Sequence, residues 1–150
     1  MSETNLELIA LMLDSHRRLT GRELVPADWP LAQAAHWLQH EAPFCVLAHE
    51  AGFDPRFIFA NATAQRCFEY SASELIGLPS RLSAEAPNRE ERQQLLDAVS
   101  RNGYASGYRG LRIARSGRRF WIEDVTVWNL IDEAGQCHGQ AATYASWRDA

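Results

Sequence analysis

The segment from residue 118 to residue 130 constrains the fold most, because it predicts a long β-strand with large apolar side chains on both faces. Alternate residues of a strand face opposite sides of its sheet. One alternate set holds Phe120, Ile122, Thr126 and Trp128, and the other holds Trp121, Val125 and Val127. Both faces of the sheet that contains this strand must therefore be covered by other parts of the protein.

Two further long strands are predicted beside it, at residues 104 to 115 and 136 to 147. The turn-rich segments between the three strands are short, and short loops join antiparallel neighbours. Residues 44 to 49 and 57 to 59 are apolar and β-favouring, and predict two shorter strands. The small residues Gly139, Ala141, Ala142 and Ala145 would face Trp121 and Trp128, an arrangement that either fills a core or leaves a pocket.

A strand followed by two capped helices is predicted at residues 57 to 77, which read FIFANATAQRCFEYSASELIG. Asn61 suits a helix N-cap, because its side-chain oxygen can accept a hydrogen bond from a free amide of the first turn. Ser71 and Glu74 have the spacing of a capping box, and Gly77 ends the second helix. A longer helix is predicted to start at Asn88, with Glu91 as its capping partner.

The first 42 residues predict a helical cap on a core of residues 43 to 150, the two forming one globular unit. Thr4 and Glu7 form a capping box ahead of the first helix. The expected fold class is α+β, with a five-stranded antiparallel sheet and the short helices of residues 61 to 101 on one face. The N-terminal helices would cover the other face, or that of a partner chain.

Composition excludes several classes of protein. The apolar fraction of 46% and the charged fraction of 23% fit one folded domain. A net charge of −4 gives no attraction to a polyanion, so binding to nucleic acid is not expected. No apolar run approaches the roughly 20 residues that span a bilayer, and no secretion signal is recognisable, which predicts a cytoplasmic protein. Cys45, Cys67 and Cys137 are widely spaced and predict free thiols.

The motif at residues 57 to 77 resembles the opening of a PAS core. Together with LPSRLSAE after it and the run from Asn102 to Leu130, it resembles the bacterial MEKHLA family of PAS-like domains, over about residues 40 to 147. The resemblance implies a PAS-like sheet and a non-enzymatic sensory or regulatory role, in a stand-alone form without an output domain. MEKHLA domains also occur on plant homeodomain leucine-zipper regulators, which fits a control module.

The leading hypothesis is that a small apolar or redox-related ligand binds in the core, and that its signalling partner is another protein. The candidate ligand-binding residues are Phe59, Asn61, Cys67, Phe68, Tyr70, Arg109, Trp121 and Trp128. Asn61 and Arg109 would be the polar anchors, since Arg109 lies away from the hairpin turn and is expected to point into the fold. Cys67 is a candidate thiol sensor of oxidants.

The resemblance also bears on cofactors. Haem-binding PAS domains use a histidine on the long helix, and residues 89 to 101 contain none, which disfavours haem. Light-sensing relatives carry a cysteine in a motif of the N-C-R-F-L-Q type, whereas Cys67 stands in R-C-F-E, which disfavours a covalent flavin adduct. His36 and His40 have helical spacing but no third metal ligand nearby, so no metal site is predicted.

The alternative hypothesis is a ligand-free module for dimerisation or protein docking, and a homodimer is expected. An apolar stripe on the N-terminal helices would form the interface, through Leu6, Ile9, Leu13, Leu31 and Leu38. A small-cavity enzyme is a weaker alternative, because the sequence holds no nucleophile motif and no phosphate-binding glycine loop. The arginines around residues 109 to 119 are interpreted as a solvated hairpin end.

Overall fold

The computed structural model describes residues 3 to 84 and 86 to 150, without the side chains of residues 3 to 5, 86 to 89, 91 and 92. The helices are α1 (Glu3–Thr20), α2 (Leu31–His40), α3 (Ala62–Phe68), α4 (Ala72–Leu75) and α5 (Ala86–Asn102), with a 3₁₀ turn at Ser80–Ser83. The strands are β1 (Cys45–Glu50), β2 (Phe57–Ala60), β3 (Tyr104–Ile113), β4 (Arg119–Ile131), β5 (Cys137–Tyr144) and β6 (Ser146–Asp149).

All strands belong to one antiparallel sheet with the order β2-β1-β5-β4-β3, and β6 pairs with β4. The α+β class and the antiparallel sheet are confirmed. The sheet has six strands because the last predicted strand divides at Ala145. Its first part, β5, lies between β1 and β4, whereas β6 pairs only with the first residues of β4, from Phe120 to Glu123.

A β-bulge at Asp124 changes which side chains of β4 share a face. Tyr108 pairs with Val125 and Gly110 with Ile122, so β4 carries one more residue than β3 between these pairs. Asp124 takes a positive φ of 51° there. An extra residue reverses the alternation of a strand. The predicted alternate sets are therefore wrong beyond Asp124.

Phe120, Ile122, Val125 and Val127 share the inner face, which packs against α3 and α5, while Trp128 and Leu130 share the outer face. A second irregularity lies at Ile58. Ala48 pairs with Phe59 and His49 with Phe57, so Ile58 is the extra residue of β2. Phe57 consequently packs in the inner cluster and Phe59 in the outer cluster.

The N-terminal helices cover the outer face of this chain's own sheet. Ile9 and Met12 of α1 are buried in the same cluster as Trp128. The indole N–H of Trp128 donates to the Met12 carbonyl at 3.2 Å. The Ser15 hydroxyl donates to the Ile131 carbonyl at 3.0 Å. Helix and strand are thus joined by polar contacts as well as by burial.

This packing bears on the predicted dimer stripe. Ile9 and Leu38 are fully buried within the chain, so neither is available to a partner. Leu6 and Leu13 are partly buried, and Leu31 is exposed. Only part of the predicted stripe is therefore open, because the sheet's outer face takes the rest.

Two local predictions are confirmed and two lie outside the described side chains. Asn61 caps α3, and Ser71 forms a reciprocal capping box with Glu74 at α4. The predicted capping by Thr4 and by Asn88 falls on side chains that are not described. The last helix, α5, begins at Ala86, ahead of Asn88. Over the described residues, none of the helices combines the length and the apolar character that crossing a membrane requires.

Candidate functional site

A cavity of about 70 Å³ lies on the inner face of the sheet, between the sheet and α5. Strands β1, β3, β4 and β5 form its floor, and Leu95 and Leu96 of α5 form part of its roof. Most of its wall is apolar, including Leu47, Phe57, Phe68, Ile122, Val125 and Val127. A concave, mostly apolar space with few polar groups is the usual setting for a small-molecule site.

Arg112 is the charged residue in the wall of this cavity. Its side chain follows β3 towards Tyr108, and the residue is only 8% exposed. Nη1 donates to the Leu111 carbonyl at 2.9 Å, and Nη2 lies 3.5 Å from the Tyr108 hydroxyl. Within the described part of the chain, no carboxylate forms an ion pair with Arg112.

Gly110 makes room for this arrangement. It lies between Tyr108 and Arg112 on the same face of β3, since residues two apart share a face. A Cβ at Gly110 would come within 2.7 Å of the Tyr108 hydroxyl and 2.8 Å of Arg112 Nη1. The absence of a side chain at Gly110 therefore lets the guanidinium lie back over the strand and into the cavity.

Gln140 brings a second polar group to the wall. Its amide Nε2 donates to Asn129 Oδ1 at 3.0 Å, and Asn129 Nδ2 donates to the Val99 carbonyl of α5 at 3.1 Å. Oε1 of Gln140 is buried and has no hydrogen-bond partner. Because a buried acceptor without a partner costs free energy, this atom marks a position for a hydrogen-bond donor.

A group of two thiols and a phenol lies deeper in the inner cluster. Cys67 Sγ is 3.6 Å from the Tyr144 hydroxyl, and Cys45 lies opposite Tyr144 in the pairing of β1 with β5. Contact with the Cys67 side chain, together with burial, raises the pKa of Cys45. Burial raises the pKa of Tyr144, so both groups are neutral in the folded protein. All three cysteines are free thiols, as predicted, although Cys137 is exposed.

Most of the predicted ligand-binding residues lie away from this cavity. Phe59 and Trp128 belong to the outer cluster, and Arg109 lies 3.9 Å above the Trp121 ring on the outer side of β3 and β4. The expectation that Arg109 points into the fold is wrong. Its side chain is 46% exposed and pairs with Glu123 at 3.4 Å. The bulge at Ile58 explains why Phe59 lies on the outer face, and the bulge at Asp124 explains the same for Trp128.

Asn61 has a different position from the one predicted. It is fully buried, and its side chain has no bonding capacity left for a ligand. Oδ1 accepts from the amides of Val46 and Ala64 at 3.1 Å each. Nδ2 donates to the carbonyls of Leu38 and Phe44 at 3.0 and 2.9 Å. Asn61 therefore joins α2, β1 and α3, and its role is in holding the fold.

The remaining predicted residues lie near the cavity. Phe68 lines it, and its ring packs edge-on to Phe120 with the centroids 5.2 Å apart. Cys67 lies in the same cluster, behind Tyr144, and Tyr70 packs at the margin of that cluster. Tyr108 and Gln140 were not predicted, and the interpretation of Arg112 as part of a solvated hairpin end is wrong, because the residue is only 8% exposed. The available signal was Arg112 itself, an arginine between Leu111 and Ile113 in the middle of a strand.

Three other arginines of the β3–β4 hairpin, Arg109, Arg115 and Arg118, have acidic partners. Arg118 pairs with Glu69 at 3.0 Å and with Asp149 at 2.6 Å. Arg115 pairs with Glu74 at 2.6 Å. Among the described residues, His, Cys, Asp and Glu form no group of three that could hold a metal ion. The hairpin cations are therefore engaged within the protein, and Arg112 differs from its neighbours.

A larger, polar cleft of about 750 Å³ opens beside the cavity. His49, Leu96 and Gln140 line both spaces. The turn between β1 and β2 forms one wall of the cleft, with Phe53 fully exposed at its tip. Gln140 thus lies where the inner cavity adjoins this cleft.

The family model of the MEKHLA domain matches residues 6–149. The chain belongs to the MEKHLA domain family. The match includes α1 and α2 as well as the sheet, so this MEKHLA domain extends over the helices that cover the outer face. No curated protein matches the chain by sequence.

Solved PAS structures resemble this MEKHLA domain. A PAS domain from Colwellia psychrerythraea is 21% identical, covers 80% of this chain and 96% of its own, and has a TM-score of 0.67. An RNA-binding light-oxygen-voltage receptor is 20% identical, over 85% of this chain and 36% of that one, with a TM-score of 0.67. A light-oxygen-voltage domain studied with a flavin analogue is 15% identical, with 82% and 86% coverage and a TM-score of 0.61. These likenesses show that the MEKHLA domain has a PAS-like fold.

Neither flavin nor haem fits the cavity of this MEKHLA domain. An engineered protein cavity of about 150 Å³ accepts a single benzene molecule. The space here is about 70 Å³, and a tricyclic flavin ring or a porphyrin is several times larger than benzene. The enclosed part instead suits a group of a few heavy atoms, and a longer ligand would extend through the open side of the cavity towards the adjoining cleft.

Proposed function

We propose that this MEKHLA domain is a non-enzymatic sensory or regulatory domain that binds a small ligand in the inner cavity. The observation that carries the proposal is a mostly apolar cavity whose wall holds Arg112, which has no ion-pair partner among the described residues, and the partnerless Oε1 of Gln140. A concave, mostly apolar space with a few placed polar groups is typical of specific ligand sites. The low-identity PAS neighbours support this reading through their fold.

The cavity wall is in contact with elements that could carry a signal. Asn129 connects Gln140 to the Val99 carbonyl of α5. Ala141 lines the cavity and also belongs to the outer cluster with Trp128, which bonds to α1. A ligand that shifts β5 would therefore act on both the α5 side and the α1 side of the sheet. We propose that a signalling protein reads this change.

Two polar side chains in the wall contact main-chain carbonyls. The Ser83 hydroxyl donates to the Ser80 carbonyl at 2.7 Å, and His49 Nδ1 lies 2.9 Å from the Glu50 carbonyl. Neither contact joins a nucleophile to a general base.

A redox-related function would involve Cys67 and Cys45, which lie behind Tyr144. A cytoplasmic location stays a prediction.

Native mass spectrometry of the freshly purified protein, with an absorption spectrum of the same sample, tests the proposal. We expect an added mass of a small molecule that is lost on denaturation. The variant Val127→Phe, which fills the cavity, should lose this mass. The variant Leu31→Phe, at an exposed position on α2, should keep it. Full retention of the mass by a folded Val127→Phe protein would refute binding in this cavity.

Dimerisation or docking is the second candidate function, and an exposed apolar residue on α2 favours it. Leu31 is 43% exposed, and Leu6 and Leu13 of α1 are partly buried. We propose that these three residues contribute to a homodimer.

Size-exclusion chromatography with light scattering should give a dimer for the wild type and a monomer for Leu31→Asp. Leu82→Asp is the matched control, because Leu82 is 42% exposed in the 3₁₀ turn. A dimer that survives Leu31→Asp would argue against this interface.

A further inference from the structure

Arg112 indicates what kind of molecule the inner cavity takes, an inference that rests on the proposed function. Arg112 is only 8% exposed in a mostly apolar wall, and the described contacts give partners to two of its five N–H donors. The contact with the Tyr108 hydroxyl, at 3.5 Å, is at the limit of a hydrogen bond. Neither partner carries a negative charge.

A buried charge without a counter-ion is costly, and proteins usually pair such a group or remove it. The hairpin arginines Arg115 and Arg118 both pair with carboxylates, although their side chains are more exposed than Arg112. Arg112 departs from this rule within the described residues, although Gly110 leaves space for its guanidinium. Among the described residues none supplies a counter-ion, and an anion in the cavity would provide one.

The cavity restricts the anion to one with a single charge and an apolar body. Arg112 supplies one positive charge, so a phosphate dianion would leave a negative charge uncompensated in an apolar space. A carboxylate matches the planar guanidinium with two parallel hydrogen bonds. Val125 and Val127, between the two polar groups, offer only apolar contact.

Gln140 indicates the other end of the ligand. Gln140 of β5 lies opposite Asn129 of β4. Gly110 of β3, beneath the Arg112 guanidinium, lies opposite Ile122 of the same strand β4. The two polar groups are thus separated along the sheet. Oε1 of Gln140 needs a donor, and a hydroxyl or amide N–H can supply one.

We propose that the inner cavity binds a small monocarboxylic acid, with its carboxylate on Arg112 and its apolar body against Val125 and Val127. A hydroxyl or N–H at the far end of the molecule donates to Gln140. Molecules longer than the cavity extend past Gln140 into the adjoining cleft.

Calorimetric titration of the full chain with the straight-chain carboxylates from acetate to octanoate tests the proposal. Hexan-1-ol is the neutral control for hexanoate, and 6-hydroxyhexanoate adds the terminal donor. We expect at least one carboxylate to bind, its uncharged analogue to bind at least tenfold more weakly, and the hydroxy acid to bind more tightly than hexanoate. Equal binding of hexanoate and hexan-1-ol would overturn the assignment, as would failure of every carboxylate to bind.

Variants assign the effect to Arg112. Arg112→Gln should weaken carboxylate binding at least tenfold, and Arg109→Gln, the exposed arginine of the same strand, should leave it unchanged. Gly110→Ala keeps the charge but displaces the guanidinium, so it should also weaken binding. Arg112→Met should raise the melting temperature of the ligand-free protein, because it removes the unpaired charge, and should abolish stabilisation by carboxylates. Unchanged binding in a folded Arg112→Gln protein would overturn the proposal.

The proposed function and this inference fail in different ways. If native mass spectrometry finds a bound neutral molecule that Val127→Phe excludes, ligand binding in the cavity stands and the carboxylate assignment falls. If no mass is bound and Val127→Phe leaves the carboxylate titrations unchanged, binding in this cavity itself is refuted.

Discussion

The indole N–H of Trp128 and the main-chain carbonyl of Met12 form a buried hydrogen bond of 3.2 Å that joins β4 to α1. The two residues are 116 positions apart in the chain. Trp128 also packs edge-on to the His16 ring, with the centroids 4.8 Å apart. On the outer face of the sheet, Trp128 thus contacts α1 through both its polar and its apolar parts.

Replacing Trp128 by Phe should destabilise the protein by about 2–4 kcal/mol, because it shrinks a fully buried side chain and leaves the Met12 carbonyl without its donor. Trp121→Phe is the matched control on the same strand, since Trp121 is partly exposed and stacks under Arg109. It should cost about 1 kcal/mol or less. Urea unfolding followed by circular dichroism measures both, and equal losses would contradict the assigned role of Trp128.

Stability should fall in mild acid because of His16. Burial lowers its pKa below the ordinary 6.5, against smaller opposing effects of the Arg22 carbonyl and Glu23, and the Arg22 charge lowers it further. The unfolded chain then binds the proton more tightly than the folded chain. The contribution of His16 to the free energy of unfolding is therefore fully present above about pH 6.5 and is lost as the pH falls below that value.

Melting temperatures from pH 8 to pH 5 test this. His16→Gln should flatten the decline between pH 6.5 and 5. His138→Gln, at an exposed histidine that contacts Asp132 at 2.8 Å, should retain it. A decline of the same size in His16→Gln would assign the acid sensitivity to other groups.

Gly139 should be the glycine least tolerant of substitution. Its φ is +149°, and an added Cβ would lie 2.1 Å from the His49 carbonyl oxygen on the neighbouring strand. Gly139→Ala should therefore cost about 3 kcal/mol or more, from backbone strain and separation of β1 from β5. Gly52→Ala is the control, because Gly52 has φ +129° but open space around it. It should cost only the strain, about 1–3 kcal/mol. Chemical denaturation of both variants separates the clash from the strain.

Asn61→Ala should destabilise the protein more than removal of an exposed helix cap. The substitution leaves buried groups on α2, β1 and α3 without partners, at about 1–3 kcal/mol for each. Ser71→Ala removes an exposed cap of α4 and should cost about 1 kcal/mol. Asn61→Asp keeps the acceptor for Ala64 but loses the two donated bonds, and should also be destabilising. Comparable stabilities of Asn61→Ala and Ser71→Ala would contradict the central position of Asn61.

Local features were predictable from the sequence because short-range chemistry determines them. Asn61 and Ser71 cap helices through hydrogen bonds within four residues, and the strands of the C-terminal meander follow from apolar runs between short turns. The antiparallel sheet and the family resemblance followed from the same patterns. The candidate cavity did not, because its wall depends on which face each strand presents.

The two bulges illustrate the difference. The residue types around Ile58 and Asp124 did not predict an extra residue in either strand. Each bulge is recognised only from the shifted register in which the neighbouring strand pairs. A shift of one residue moves every later side chain to the opposite face. Phe59 and Trp128 consequently lie on the outer face. Val125 and Val127 line the cavity in which Phe59 and Trp128 were predicted.

The amino-acid sequence by itself determined the helices, the strands, the caps and the family of this domain, since these depend on residue types at fixed local spacing. Only the tertiary structure decided that Arg112, rather than Arg109, lies inside, that Asn61 is fully used by the fold, and that Ile9 and Leu38 are covered by the chain's own sheet. Those outcomes depend on strand register and on contacts between distant segments, and no local pattern encodes either one.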